Sequence, residues 1–351
     1  MTLQSIADQL GVSRSTVSNA YNRADHVSEG LRAEIFRVAK DLGYAGPNPI
    51  ARKLRTGQQL AVGLLFTDSL SFAIRDPAAV RFLEGLTLAC ESAGVALLLV
   101  PALDGGPQNL TMVGQAAVDG FVVYSMPEAS PHLDAALRRK LPLVVVDEPD
   151  GLDEADWVGL DDEASFRQLG QHLLELGHRN IGIVCSKLSS VGYNGPASID
   201  RLLQATYSVQ HNRINGLRSA MRAKLVPHEN MPIEERRDNN VVSGFDAGNA
   251  ILDRRPDLTA IVCTTDVLAL GVLQAARERG IAVPEQLSVC GHDDIPEAAA
   301  AGLTTVQQPL VEKGRVAGHL LLTYGDRKAP RRHVLPTQIR MRRTTGRAPS
   351  R

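Results

Sequence analysis

Apolar positions recur with two different textures along the chain. In the first 45 residues their spacing is helical. Leu3, Ile6, Ala7 and Leu10 share one face of a helix that Thr2 can cap. Gly11-Val12 makes a turn, and Ser13 can cap a second helix, Arg14–Tyr21. Ser28 can cap a third, in which Leu31, Ile35, Val38, Ala39 and Leu42 fall at offsets 0, 4, 7, 8 and 11, and Gly43 ends it. From Leu60 onward short apolar runs alternate with amphipathic stretches. The pattern predicts strand 60–66, helix 78–93, strand 95–100, helix 107–117, strand 120–124, helix 130–139 and strand 143–146. It restarts with helix 162–176, strand 180–185, helices 211–223 and 244–254, strand 259–263, helix 266–279 and strand 287–290. Apolar strands separated by amphipathic helices predict parallel sheets covered on both faces, and the restart predicts two α/β lobes. Residues 186–210 are polar, lack a period and read as a long loop near the mouth of a cleft.

Within the helical head, Ala7, Gly11 and Val17 have the relative spacing of a helix-turn-helix. A small side chain sits where two helices cross, a glycine takes the positive φ of the turn, and a valine points back into the core. The outward face of the second helix carries Arg14, Ser15, Ser18 and Asn19, with Thr16 and Asn22 nearby. These are short polar or cationic groups of the kind that reach base edges and phosphates.

Composition sharpens this picture only in places. The 351 residues are 44% hydrophobic and 22% charged, enough to build large cores without a metal or disulfide staple. Net charge is -1, which excludes a uniformly basic, histone-like chain. Residues 1–58, however, hold eight basic and five acidic side chains, a local balance of +3. Residues 327–351 hold nine basic side chains and no acidic one, and read as a solvated, partly frayed tail. Apolar runs fall far short of the about 20 residues of a membrane span, and residues 1–30 have no signal-peptide pattern. Cys90, Cys185, Cys263 and Cys290 are widely spaced and read as reduced core thiols. The expectation is a cytoplasmic chain.

The run Thr2-Leu3-Gln4-Ser5-Ile6-Ala7-Asp8-Gln9-Leu10-Gly11-Val12-Ser13-Arg14-Ser15-Thr16-Val17-Ser18-Asn19 resembles the start of the lactose/galactose repressor family of bacterial transcription regulators. So do Asn22, His26-Val27-Ser28, Leu42-Gly43-Tyr44 and Pro47-Asn48, and Ile50-Ala51-Arg52-Lys53-Leu54 is similar to that family's hinge helix. The resemblance implies a helix-turn-helix head over 1–45, a hinge helix or linker over 46–59, and an effector-binding and dimerisation body over 60–340. That body is expected to be a type I periplasmic-binding-protein-like fold with parallel sheets and three crossings between lobes, near 156–160, 291–296 and 321–327. Lobe 1 is then about 60–157 and 293–323, lobe 2 about 158–292 and 324–340, and 341–351 a basic tail. The implied DNA-contacting set is Ser13, Arg14, Ser15, Thr16, Ser18, Asn19, Asn22, His26, Tyr44, Asn48, Ala51, Arg52 and Leu54. Leu54 is expected to wedge into the minor groove where two hinge helices pair.

Ligands of parallel α/β sheets bind beyond the carboxyl ends of the strands. Phe72 and Asp76 follow the first strand, Tyr124 ends the third, and Asp147 follows Val144-Val145-Val146. Thr265 follows the strand 259–263, and Asp293-Asp294 follows Ser288-Val289-Cys290-Gly291-His292. Arg213 opens a helix. The resemblance implies Arg213 and Asp293 as effector ligands, with Asp147 and Thr265 nearby. Carboxylates with an arginine suit a polyhydroxylated molecule, since the former accept and the latter donates. Asp266 and Asp161 read as helix caps and Asp294 as structural.

Three function classes compete. A ligand-responsive regulator fits best: a repressor by family default, acting as a homodimer on palindromic double-stranded operator DNA and controlled by a small carbohydrate. A purine or a sugar phosphate is the alternative effector. An α/β sugar enzyme lacks GxGxxG, Walker and GxSxG motifs, and an exterior solute-binding protein needs a signal peptide and no helical head. No catalytic residue, cofactor, metal site or membrane partner is expected.

Overall fold

In the computed structural model, placement is described for residues 2–22, 24–44, 61–67, 69–102 and 107–350. The hinge segment 46–59, with Asn48, Ala51, Arg52 and Leu54, lies outside the described residues. Two compact units, residues 1–60 and 61–351, are described separately.

The first unit is helical. Helices α1 (Leu3–Leu10), α2 (Arg14–Asn22) and α3 (Glu29–Asp41) follow the predicted periods closely. The caps explain their starts: Thr2 Oγ1 accepts from Ser5 N, Ser13 Oγ accepts from Thr16 N at 3.0 Å, and Ser28 Oγ accepts from Leu31 N. Gly11, at φ +66°, ends α1 in the left-handed region that a side chain would resist. Ile6, Ala7, Val17, Ala20, Ile35, Val38 and Ala39 form the buried centre. Tyr21 closes its rim, edge-on to Phe36 at 4.9 Å and to Tyr44 at 6.0 Å.

The second unit contains two sheets. The strands of lobe 1 are β1 (Ala61–Phe66), β2 (Ala96–Pro101), β3 (Gly120–Tyr124), β4 (Leu143–Val146) and β5 (Asp156–Leu160). Between them lie a short helix α4 (Leu70–Ala73), then α5 (Pro77–Ala93), α6 (Pro107–Gln115) and α7 (Pro131–Arg138). Lobe 2 begins with α8 (Asp162–Glu175), β6 (Ile181–Cys185), a short β7 (Gly195–Pro196), α9 (Ile199–Leu203), α10 (Ser208–Ala223) and β8 (Ile233–Glu235). It continues through α11 (Val241–Arg254), β9 (Ala260–Cys263), α12 (Asp266–Glu278), β10 (Ser288–Asp293), α13 (Pro296–Ala301) and β11 (Thr304–Gln307). The chain returns through α14 (Leu310–Leu322) and β12 (Arg332–Leu335) and ends its regular structure at β13 (Gln338–Arg340).

The sheet orders are β12-β5-β4-β3-β1-β2 and β13-β11-β10-β9-β6-β8-β7. Every pairing is parallel except those of β13 and β7 at the edges of the second sheet. Both central orders reverse once, between β1 and β3 and between β6 and β9, which opens a crevice at the strand carboxyl ends. In lobe 1, Phe82, Leu86, Ala317 and Leu320 cover one sheet face, and Val113, Phe121 and Leu133 lie on the other. In lobe 2, Phe166 and Leu217 cover one face, and Ile251 and Val272 the other.

Strand pairing corrects two of the expected crossings. The chain first leaves lobe 1 after Leu160, close to the expected place. The second crossing follows Gln307 rather than 291–296, because β11 pairs with β10 in lobe 2, Cys290 beside Thr304. The third falls between Leu335 and Gln338 rather than at 321–327. There β12 extends lobe 1 beside β5, Arg332 opposite Trp157, while β13 extends lobe 2 beside β11. Residues 304–307 therefore belong to lobe 2, and 332–335 to lobe 1. The tail is also corrected. Instead of fraying, it straps lobe 2: Thr344 Oγ1 donates to Val289 O, Thr344 O accepts from Val289 N, Gly346 O meets His178 Nε2 at 3.0 Å, and Ala348 N donates to Leu176 O. Backbone groups pair whatever the side-chain charge, and the Thr344 hydroxyl adds a donor to Val289 O. The 186–210 loop is shorter than expected, since β7 and α9 interrupt it. Glu235, fully buried, fastens it by accepting from Leu188 N at 3.0 Å and pairing with Arg201.

Candidate functional site

Two polar surfaces stand out. On the head, Ser13, Arg14 and Ser15 are exposed at the start of α2, and Thr16, Ser18 and Asn19 are half-buried along it. Ser13 Oγ lies 2.7 Å from both Ser15 Oγ and Thr16 Oγ1, so the N-terminus of α2 carries a hydroxyl cluster, with the exposed Arg14 on the same turn. Free helix N–H groups and a cation favour a phosphate there. His26 is exposed next to Asp25, at 3.6 Å, and Tyr44 is half-buried against Tyr21. Asn22 is the last residue of α2; its side chain lies outside the described set.

In the body, a cavity of about 440 Å³ lies between the lobes. Asp76, Tyr124 and Asp147 reach it from lobe 1, and Arg213, Thr265 and Asp293 from lobe 2. Six of the seven expected effector residues thus converge from distant chain positions. Phe72 lies in α4, and its side chain is outside the described set. The floor includes Phe66 and Tyr124, whose rings meet edge-on at 5.7 Å.

Each of these groups is held in place. Arg213, 5% exposed, donates through Nε to Asp162 Oδ1 at 2.7 Å and through Nη1 to Thr264 O at 2.6 Å. Asp293 Oδ1 accepts from Gln308 Nε2 at 2.5 Å, and burial pushes its carboxyl up to about 6 against the pull of Arg213. Burial and the neighbouring Asp293 charge likewise push Asp76 up to about 6, although Asp76 Oδ1 caps Ala78 N at 3.0 Å. Thr265 caps α12 by accepting from Leu268 N and donates to Asn239 Oδ1 at 2.6 Å. This corrects the expectation for Asp266. Its carboxylate accepts instead from Ile295 N at 3.0 Å and Thr305 Oγ1 at 2.6 Å, behind the cavity wall. Asp161 does cap its helix, accepting from Ala164 N, and Asp294 ties to Gln307 and Arg342 as a structural group. Ser125, Asp147 and Asp293 line the cavity with φ of +48°, +65° and +125°, a region side chains rarely occupy. Strain of this kind persists where surrounding structure dictates it, most often at binding sites.

Sequence reasoning missed Glu148, Gln210, Asn239 and Gln308, all of which line the cavity. Glu148 is 2% exposed and bridges the lobes. It accepts from Ser125 Oγ at 3.0 Å in lobe 1, and from Ser208 Oγ and Val209 N, both at 3.1 Å, at the start of α10. Burial pushes its carboxyl up to about 7. Its place directly after Asp147 was the one available signal.

Comparison with known proteins places both units in known families. Residues 2–48 match the family described as bacterial regulatory proteins, lacI family, and residues 171–345 match a periplasmic binding protein-like domain. An HTH-type transcriptional regulator of Mycolicibacterium smegmatis is 43% identical, the match covering 98% of this chain and 96% of the relative. The crystal structure of a LacI-family transcriptional regulator from Corynebacterium glutamicum is 35% identical, covers 99% of this chain and 98% of its own, and superposes with a TM-score of 0.76. A solved complex of the transcriptional regulator CelR with cellobiose is 26% identical, with 98% and 99% covered and a TM-score of 0.69. Among the described residues no helix is long and apolar enough to cross a membrane. With a helix-turn-helix head, a two-lobed body and relatives that are regulators rather than enzymes, the chain belongs to the LacI family of bacterial transcription regulators, with a DNA-binding and an effector-binding domain.

Proposed function

We propose that the protein is a repressor that binds a two-fold symmetric operator as a homodimer and is controlled by an uncharged sugar or polyol in the interlobe cavity. The observation that supports this most is the convergence of Asp76, Asp147, Arg213, Thr265 and Asp293 from both lobes on one 440 Å³ space. A ligand touching both lobes changes their angle, and that angle is what a dimer can transmit to paired DNA-binding heads. Ser13, Arg14, Ser15, Thr16, Ser18 and Asn19 are assigned to DNA on this reading, together with Asn22, His26 and Tyr44. The hinge residues Asn48, Ala51, Arg52 and Leu54 are assigned with them.

The carbohydrate assignment follows from donors and acceptors. Asp76, Asp147, Glu148, Asp238 and Asp293 outnumber Lys187, Arg213 and Arg237 around the cavity. Arg213 is paired with Asp162 and Asp147 with Lys313, which leaves the carboxylates in excess. A phosphate entering this surplus of acceptors is repelled, whereas hydroxyl groups supply what the carboxylates lack. The aromatic floor suits the apolar face of a sugar ring. The cellobiose bound to CelR is a molecule of this class.

Two experiments test the proposal. Selection of bound fragments from a random duplex library, at one fixed salt concentration, should yield a palindrome with half-sites about one helical turn apart and two chains per duplex. An asymmetric site bound by one chain contradicts it. A thermal-shift screen against sugars, sugar phosphates and nucleobases should single out an uncharged sugar or polyol, which at 100 times its dissociation constant stabilises the fold by about 2.7 kcal/mol. A shift with nucleobases or phosphates alone contradicts the carbohydrate assignment.

A further inference from the structure

Lys313 is 1% exposed, on a face of α14 otherwise lined by Leu310, Gly314, Ala317, Gly318, Leu320 and Leu321. A cation in such a stripe persists only when it is paired. Its Nζ donates to Asp147 Oδ1 at 2.7 Å and to Gln308 Oε1 at 2.6 Å, and Gln308 Nε2 donates in turn to Asp293 Oδ1 at 2.5 Å. One ammonium on lobe 1 therefore reaches a cavity carboxylate of each lobe: Asp147 directly, and Asp293 through Gln308, which sits in the second crossing between lobes. The helix that carries it has no room to shift. A Cβ on Gly314 would lie 2.1 Å from Phe82 O, and one on Gly85 would lie 1.8 Å from Val311 O, so α5 and α14 meet backbone to backbone.

A second feature points at the ligand. Gln210 is 8% exposed and lines the same cavity, and its Oε1 has no hydrogen-bond partner among the described residues. A buried acceptor left open in this way calls for a donor from outside the chain. Lys313 already occupies one oxygen of Asp147, and Gln308 one oxygen of Asp293. Asp293 is also met by His292 Nδ1 at 3.0 Å and by the Asp266 backbone N–H. The lone pairs still open on the two carboxylates, with Gln210 Oε1, suit hydroxyl donors presented from both sides of one molecule.

We propose that Lys313 is a positioning residue for effector recognition: it fixes Asp147 and, through Gln308, Asp293 as paired acceptors, one per lobe, for an uncharged polyhydroxylated ligand that bridges the cleft. This rests on the carbohydrate reading of the cavity. The geometry offers the effector a carboxylate acceptor on each side, and Lys313 itself is not in the cavity lining.

The test is calorimetric titration of the full-length protein with D-glucose, D-ribose, cellobiose and sorbitol, and with glucose 6-phosphate, ribose 5-phosphate and gluconate. Wild type, Lys313→Met, Lys313→Arg, Gln308→Met, Asp147→Asn and the Lys313→Met/Asp147→Asn double variant are compared, each checked for an intact melt. A neutral member should bind wild type more tightly than its anionic counterpart. Lys313→Met should weaken that binding about tenfold or more, as expected for a lost hydrogen bond to a charged group, and Gln308→Met should weaken it to a smaller extent. Lys313→Arg should recover part of the loss. The double variant should lose less than the two single losses added together, because one of the two arms of Lys313 acts through Asp147. If Lys313→Met unfolds, Gln308→Met carries the test, since it cuts the link to Asp293 and leaves the Lys313–Asp147 pair. Neutral binding within about twofold of wild type in the folded members of this pair overturns the role of Lys313 and leaves the carbohydrate reading standing. Binding of anionic members alone, or of no neutral member, overturns both.

Discussion

The head offers Ser13, Arg14 and Ser15 to solvent on one helix end, over a centre formed by side chains such as Ile6, Val17 and Ile35. The body encloses Arg213, Thr265 and Asp293 at 5 to 7% exposure between two sheets, and holds several cavity residues at positive φ. The contrast follows from the two ligands. A duplex is large, charged and approached from outside, so exposed groups on a rigid helix serve it, and charge supplies much of the affinity. A small effector offers little area, so its receptor must surround it with groups fixed in advance. Changes in the head should therefore alter DNA binding and leave the body intact. Changes in the cavity should cost stability, because its polar groups are buried and mutually dependent.

The sharpest way to break this contrast is at Arg213. Arg213→Met leaves Asp162 buried without its cation, and should destabilise the body by about 3–5 kcal/mol in chemical denaturation. A loss below about 1 kcal/mol, the range of exposed ion pairs, would place Arg213 in the same class as the surface charges of the head. Next is Arg14→Ala. Operator binding should weaken by about 1–3 kcal/mol in anisotropy titrations, random-sequence DNA should be affected less, and the melt should not move. An equal loss on both DNAs would make Arg14 a phosphate contact only. Ser13→Ala removes the α2 cap, and should cost the head about 0.5–2 kcal/mol while leaving effector binding unchanged.

The smallest effect is a pH slope. Asp76, Asp293 and Glu148 are pushed up to about 6, 6 and 7 in the folded chain. Between about pH 4 and 7 the folded body thus retains protons that the unfolded chain releases, so its stability falls as pH rises through that window. Glu148→Gln removes one such group and should flatten the fall in melting temperature over this range. An unchanged slope would show that Glu148 does not titrate there.

The head was readable because its evidence is contiguous: caps, the turn glycine and the core residues all lie within 45 positions, and local spacing reports local structure. The main strands and most cavity residues were readable for a related reason, since strand ends point at the crevice. The lobe crossings were not. The four residues of Thr304–Gln307 and of Arg332–Leu335 are too few to show a period, and only pairing with β10 and β5 assigns them to a lobe. Lys313 and Glu148 were invisible for another reason. Charged residues in a helix or loop read as solvated, and only the folded chain shows that each is buried against partners far along the sequence. The tail misled in the same way: its arginines suggested solvent, yet Arg327 and Arg331 pair with the buried Asp156 and Arg342 with Asp294, while Thr344 and Gly346 tie to lobe 2.

The central claim is that occupation of the interlobe cavity controls DNA binding by the head. It is tested most directly by titrating the selected operator with wild type and Asp293→Ala, with and without a saturating neutral sugar found in the thermal-shift screen. In wild type the sugar should change operator affinity by about 5- to 150-fold, the range of a coupling of about 1–3 kcal/mol. Asp293→Ala should keep its operator affinity and lose that response. A variant that answers the sugar as wild type does, or one that loses operator affinity without any sugar present, would contradict the account.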